Sequence, residues 1–151
     1  MAKPIPDGYH TITAQLSIDG ADKAIAFYEK AFGAETKDKA VDPSGKKIWH
    51  AELRIGDSII FANDTMPEMP QTPRQARLWI YTEGVDRAFQ RAKDAGLKAA
   101  MPPADMFWGD RMAEVHDRWG NQWVLAQHVK DLSPAEMKKA QDDFVASMKK
   151  K

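Results

Sequence analysis

Two short stretches of this 151-residue chain alternate His or Glu with apolar residues. In His50-Ala51-Glu52-Leu53-Arg54-Ile55 the apolar Ala51, Leu53 and Ile55 share one side of an extended strand, which turns His50, Glu52 and Arg54 to the other. Glu114-Val115-His116 carries the same alternation. A His/Glu group suits acid–base chemistry, because imidazole titrates near neutrality. It equally suits a divalent metal, or a hydrogen-bonded polar layer with no chemistry. His50, Glu52, Glu114 and His116 are the catalytic candidates. A second set is aromatic and cationic: Trp79 and Tyr81 behind Arg77, and the run Phe107-Trp108-Gly109-Asp110-Arg111. Such rings stack on a planar ligand while Arg77 or Arg111 pairs with an acidic group, or they simply fill a core. Trp108, beside Gly109 and after a proline pair, reads as a loop residue that closes as a lid. His10 and His128 fall at strand ends and read as surface residues.

The elements that must position these residues follow from periodicity. Alternation predicts a strand over 10–18, with Asp19 as the N-cap of a helix. Ala24, Ile25, Tyr28, Ala31 and Phe32 recur at helical steps, and Gly33 ends the run. Strands are expected over 36–41, 47–55 and 58–62, the last two joined at Gly56-Asp57, and a loop over 63–77. The pattern then restarts. A strand is expected over 78–81, a helix over 85–95 ending at Gly96, and a short strand over 98–101 broken by Pro102-Pro103. A hairpin over 112–116 and 122–128 turns at Asp117 to Asn121, with Trp119 plugging its end. At an offset of 64, Gly20-Ala21-Asp22 falls on Gly84-Val85-Asp86 and Gly56-Asp57 on Gly120-Asn121. That is the signature of a duplicated unit. The same offset pairs His50 with Glu114 and Glu52 with His116.

The expected architecture is α+β: two βαβββ modules, about 10–64 and 77–128, forming a half-open barrel around a cup within a domain of 1–132. A helix over 133–151 follows, opened by the capping box Ser133-Pro134-Ala135-Glu136. Its apolar stripe of Met137, Ala140, Phe144 and Met148 packs on its own domain or on a partner subunit. The 22 basic and 22 acidic residues cancel, which gives no electrostatic footprint for nucleic acid or an acidic membrane. The chain has no Cys, which excludes disulfides, thiolate metal sites and Cys nucleophiles. The first residues lack an apolar signal-like core and no run is long enough to span a bilayer, so a cytoplasmic protein is expected.

The segments Ala24-Ile25-Ala26-Phe27-Tyr28, His50-Ala51-Glu52-Leu53-Arg54-Ile55-Gly56-Asp57, Asp105-Met106-Phe107-Trp108-Gly109-Asp110-Arg111 and Asp117-Arg118-Trp119-Gly120-Asn121 resemble the vicinal oxygen chelate superfamily. That superfamily comprises glyoxalase I, extradiol dioxygenases and bleomycin-resistance proteins, and the likeness is strongest to its PhnB-like group. The resemblance implies the glyoxalase/bleomycin-resistance fold, a cup for a small-molecule ligand, and a homodimer. Metal-dependent members carry one His or Glu ligand on the first and the last strand of each module. Those places fall here on Thr13, Ile60, Arg77 and Val124, none a good ligand, so no cofactor is predicted, a divalent metal elsewhere staying open. If these four face inward, then Gln15, Ser58, Ala62, Trp79, Tyr81 and Gln122 do too, while Ile12, Ile59, Phe61, Leu78, Trp123 and Leu125 face the helices. The ligand-binding candidates are Thr13, Gln15, Arg77, Trp79, Tyr81, Phe107, Trp108, Arg111 and Gln122. Three functions stay open: a metal-free binder of a small aromatic or amphipathic molecule, a lyase, isomerase or dioxygenase using the His/Glu residues, and a structural or regulatory dimer with a vestigial cup.

Overall fold

The computed structural model describes residues 3–65 and 75–149. Its first unit runs β1 (Gln15–Ile18), α1 (Ala21–Phe32), β2 (Glu35–Val41), β3 (Ile48–Ile55) and β4 (Ser58–Asp64). The second runs β5 (Arg77–Tyr81), α2 (Val85–Asp94), β6 (Lys98–Asp105), β7 (Asp110–His116) and β8 (Gln122–His128), and α3 (Pro134–Lys149) follows. Each unit folds into a four-stranded mixed sheet, ordered β1-β4-β3-β2 and β5-β8-β7-β6, with its first strand parallel to its last. The α+β fold, the two modules and the C-terminal helix are as expected. No closed barrel forms. Among the described residues no strand of one sheet lies against a strand of the other, and the joint between modules is α1 against α2.

One hydrophobic core runs through both modules because each helix buries its apolar stripe on its own sheet and meets the other helix at the seam. Leu16, Ile18, Ala51, Leu53, Ile60 and Ala62 line it from the first sheet, Ala113, Val115, Trp123 and Leu125 from the second. A buried clasp crosses the seam. Asp117 Oδ2 accepts from the Tyr28 hydroxyl at 2.6 Å and from Trp123 Nε1 at 3.0 Å, while its Oδ1 accepts the backbone N–H of Trp119 and of Asn121. Burial first, and then the Asp117 carboxylate, hold the Tyr28 phenol far above its ordinary pKa. Trp119 does more than plug its hairpin: it packs edge-on against Phe27 and Tyr28 of the other module.

The helix of each module, α1 or α2, is capped from that module's last strand. Gly20 and Gly84 take left-handed backbone at the two N-caps, and neither offers a side-chain cap. Asp19 is therefore not the cap of α1. Asp64, the last residue of β4, accepts the N–H of Gly20 and of Ala21 at 2.9 Å each with one oxygen and that of Ile48 at 2.7 Å with the other. Gln127 of β8 does the corresponding work for α2, accepting from Gly84 at 3.1 Å and Val85 at 3.2 Å. These contacts satisfy the orphan donors that open any helix.

Other expectations are corrected. The strand over 10–18 begins only at Gln15; the chain before it leaves the ladder, and Ile12, expected on the helix side, is 87% exposed. Asn63, Asp64 and Arg77 belong to strands, not to the loop over 63–77, of which 66–74 lie outside the described residues. Pro102-Pro103 does not end β6. As an edge strand, β6 has no neighbour on its outer side to miss a proline N–H, and it passes through the pair with a register shift between Met101 and Ala104.

The single offset of 64 also fails. Paired positions match Gln15 with Trp79, Phe61 with Val124 and Glu52 with Glu114, offsets of 64, 63 and 62 in turn. Ile55 pairs with Ser58 around the two residues Gly56-Asp57, whereas His116 pairs with Gln122 around five. One residue of slip turns every side chain of a strand to the other face. Ile60 and Ala62 consequently face α1, and Ile59, Phe61 and Asn63 take the open side.

Candidate functional site

Each sheet has an open face turned away from its helix. On the first, β1 supplies Gln15 and Ser17, β4 supplies Phe61 and Asn63, and β3 supplies His50 and Glu52. Gln15 Nε2 donates to Asn63 Oδ1 at 2.7 Å. The His50 ring meets Phe61 edge-on at 4.7 Å between centroids, and its Nε2 lies 3.7 Å from Glu52 Oε1. The chain ahead of β1 folds over this face. Tyr9 sets its ring 5.9 Å from that of Phe61, and its backbone N–H closes a turn onto the Pro6 carbonyl. Desolvation, then a hydrogen bond to Glu52 and that carboxylate's charge, push the Tyr9 phenol up to about 12. Tyr9 was not foreseen as a site residue; a tyrosine on a proline-rich arm carries no periodic signal.

On the second open face, β5 supplies Arg77, Trp79 and Tyr81, β7 supplies Asp110, Met112, Glu114 and His116, and β8 supplies Gln122, Val124, Ala126 and His128. Arg77 Nη2 donates to Glu114 Oε1 at 2.7 Å, and His116 Nε2 lies 3.3 Å from Glu114 Oε2. Both oxygens of Glu114 are thus engaged. Trp79 and Tyr81 are 43% and 61% exposed, their ring centroids 6.1 Å apart at 30°. Over the opposite end of this face Met101, Met106 and Trp108 pack on Met112, Val124 and Ala126. Trp108 therefore does lie on the face, on a turn whose Gly109 has no room for a side chain, because a Cβ there would strike the Lys130 carbonyl.

Asp110 anchors that turn. It is buried; its Oδ2 accepts from Trp108 Nε1 at 3.0 Å and the Tyr81 hydroxyl at 3.1 Å, and its Oδ1 lies 2.9 Å from His128 Nδ1. Burial pulls its pKa up, but the hydrogen bonds from His128, Trp108 and Tyr81 outweigh this and hold it below the ordinary carboxylate value. His128 also reaches Asp131 through Nε2 at 2.7 Å. Hydrogen bonds to Asp110 and then Asp131 raise its pKa. His128 is exposed at the end of β8, as its position predicts, yet a carboxylate lies against each ring nitrogen.

The sequence-derived candidates are divided by this geometry. His50 and Glu52 stand on one sheet and Glu114 and His116 on the other, as two separate couples and not one group of four. Arg111 faces α2, where Asp86 takes it bidentately and Asp105 adds a third bond, so it is removed from the cup. Phe107 turns to the C-terminal helix and meets Phe144 at 5.0 Å between centroids. Thr13 precedes β1, half-buried. Among the described residues no three His, Asp or Glu side chains gather as metal ligands. With β4 correctly registered, the residue matching Val124 is Phe61, not Ile60. Thr13, Phe61, Arg77 and Val124 offer no donor set for a divalent metal, and Arg77 is a permanent cation.

A family model, the Glyoxalase/Bleomycin resistance protein/Dioxygenase superfamily, matches residues 10–125. The chain belongs to this superfamily. An uncharacterized protein of Mycobacterium bovis is 35% identical over 138 residues, 85% of this chain and 90% of that one. Among solved structures, TioX from Micromonospora sp. ML1 superposes with a TM-score of 0.68 at 24% identity, covering 80% of this chain and 99% of that one. A PhnB protein from Bacillus cereus gives 0.57 at 21% identity, with coverage of 78% and 99%. Below a quarter identity these two likenesses speak for the glyoxalase-type fold alone.

Proposed function

We propose that this superfamily member binds a small aromatic or amphipathic molecule on the open face of its second sheet, without a metal at the family's usual seats. The observation that carries this is the pair Trp79 and Tyr81, large rings left exposed on edge strand β5 next to Arg77, with the Trp108 turn packed over the far end of the face. Exposed aromatic surface rimmed by polar groups is characteristic of a ligand site. The protein works as a cytoplasmic homodimer on this reading. Among the described residues no strand of one sheet touches the other sheet, and β1 and β5 are sheet edges; a second copy would set the first sheet of one subunit against the second sheet of the other and complete the cup. Light scattering on the purified protein should give twice the 17.0 kDa chain mass. Titration calorimetry against a panel of planar aromatics should give heat that Trp79→Ala abolishes; no heat from any member would sink the binding role. A second reading, a structural dimer with a vestigial cup, is favoured by the chain's own Tyr9 and Trp108 lying on the two faces.

A further inference from the structure

We infer that Arg77 makes the edge of the second face a carboxylate subsite, so that the ligand class is the planar aromatic acid. This rests on the binding role proposed above. The guanidinium sits on edge strand β5, about half exposed, and spends one nitrogen on Glu114. Glu114 is largely covered, and His116 holds its other oxygen, so the Glu114–His116 couple works as a bracket that fixes the direction of Arg77. Among the described residues the guanidinium makes no other hydrogen bond or ion pair, which leaves the rest of its planar fork to take a carboxylate with two parallel bonds.

Trp79 lies two residues along the same strand on the same face, and Tyr81 two beyond it, so the guanidinium stands at the end of a continuous aromatic wall. A ring stacked on Trp79 would bring a substituent on its edge to Arg77. The charges nearby select its sign. Both oxygens of Glu114 are engaged, and those of Asp110 are occupied by Trp108, Tyr81 and His128, so neither offers an open oxygen for a cationic ligand to bond, while Arg77 repels one. A neutral ring would cover the guanidinium without replacing its water.

The first sheet offers a contrast in the same register. Thr13 stands where Arg77 does by the offset that matches Gln15 to Trp79, and there the ring over the face is the chain's own Tyr9, a neutral phenol directed at Glu52. On that face the Glu52 carboxylate meets a hydroxyl donor and the His50 ring; on the other, a bracketed arginine calls for an anion.

The test compares 2-naphthoate with 2-naphthamide, near-identical in shape and different in charge, by calorimetry on the intact protein, on Arg77→Gln and on Trp79→Ala. The acid should bind at least about tenfold tighter than the amide, the difference a charged hydrogen-bonded pair supplies. Arg77→Gln should erase that difference between acid and amide, and Trp79→Ala should weaken both. Equal binding of acid and amide to the intact protein overturns the carboxylate subsite and leaves the aromatic-binding role standing. A preference for the acid that survives Arg77→Gln overturns it as well. Failure of both probes to bind removes the subsite and the role together. Circular dichroism of each variant separates a lost contact from a lost fold.

Discussion

The two modules share a plan, and the comparison between them shows which parts of it are fixed. In both, the last strand ends in a side chain that caps the helix, but Asp64 is a buried carboxylate holding three backbone donors and Gln127 is a part-exposed amide holding two. In both, something of the chain lies on the open face, but the first sheet is met by an arm that precedes the module and the second by a turn inside it. The first keeps a phenol on a carboxylate; the second leaves two rings and a guanidinium to solvent. Helix-side geometry is thus held by backbone demands that any such unit must meet. The open side is free to diverge, and it is there that a function would be written.

The caps provide the sharpest way to test this difference. Replacing Asp64 with Ala strands three donors, two at the start of α1 and one at the start of β3, around a position that is itself buried. At about 1–2 kcal/mol for each buried donor left without a partner, the loss should be roughly 4 kcal/mol, or a fall in Tm of about 10–15 °C by scanning calorimetry. Gln127→Ala strands two donors nearer to solvent and should lose only about 1 kcal/mol. Equal losses would mean that the two caps are interchangeable and that the buried charge at Asp64 adds nothing.

The seam comes next in size. Tyr28→Phe keeps the ring that packs between Phe32 and Trp123 and removes only the hydroxyl. Asp117 Oδ2 would then retain the Trp123 N–H alone, and Asn121 Nδ2, now 3.3 Å from that hydroxyl, would lose its acceptor. A loss of about 1–2 kcal/mol is expected, read as a lower urea midpoint with an unchanged slope. A change in slope instead would show that the modules unfold separately once the clasp is cut.

Periodicity made most of this architecture legible. Alternation and helical spacing located every strand and helix of both modules, and the capping box of α3 forms as written, with Glu136 N–H on Ser133 Oγ at 3.1 Å and Ser133 N–H on Glu136 Oε1 at 3.2 Å. Two kinds of information were not in the pattern. Side chains that cap at a distance, such as Asp64 some forty residues from Gly20, leave no local trace, and Asp19 beside the helix was the natural but mistaken choice. Hairpin length was the other. Gly56-Asp57 and Gly120-Asn121 look alike in sequence, yet one closes a tight hairpin and the other ends a five-residue loop. Together with two residues lost between α1 and β3, that difference puts Phe61 and not Ile60 opposite Val124 in the repeat, while the His/Glu residues divide because they stand on two sheets whose strands do not touch. Arg111 was misplaced for a related reason: next to Asp110 on an alternating strand it must take the opposite face, where Asp86 and Asp105 await it.

The smallest expected effect concerns His128, which joins the Trp108 turn to the segment leading into α3. Its contacts with Asp110 on one side and Asp131 on the other raise its pKa in the folded chain above the ordinary value of about 6.5. A proton bound more tightly in the folded state stabilises that state. The contribution is fully present below the unfolded pKa and is lost as pH rises through the folded one. Neutral imidazole has one N–H for two carboxylates, so one of the two contacts must then go. Because the ring is part-exposed, the effect should be a modest slope: the urea midpoint of the wild-type chain should drift down as pH rises from the unfolded pKa of about 6.5 through the raised folded one, and His128→Gln, which cannot titrate, should flatten that drift. The loss should centre on Asp131, since Asp110 keeps its bonds from Trp108 and Tyr81 whatever His128 does. Hydrogen exchange should accordingly speed up in the residues leading into α3 and stay constant at the Trp108 turn. Faster exchange at Trp108 itself would mean that the imidazolium, and not the tryptophan and tyrosine donors, is what holds Asp110 and its turn against the second face.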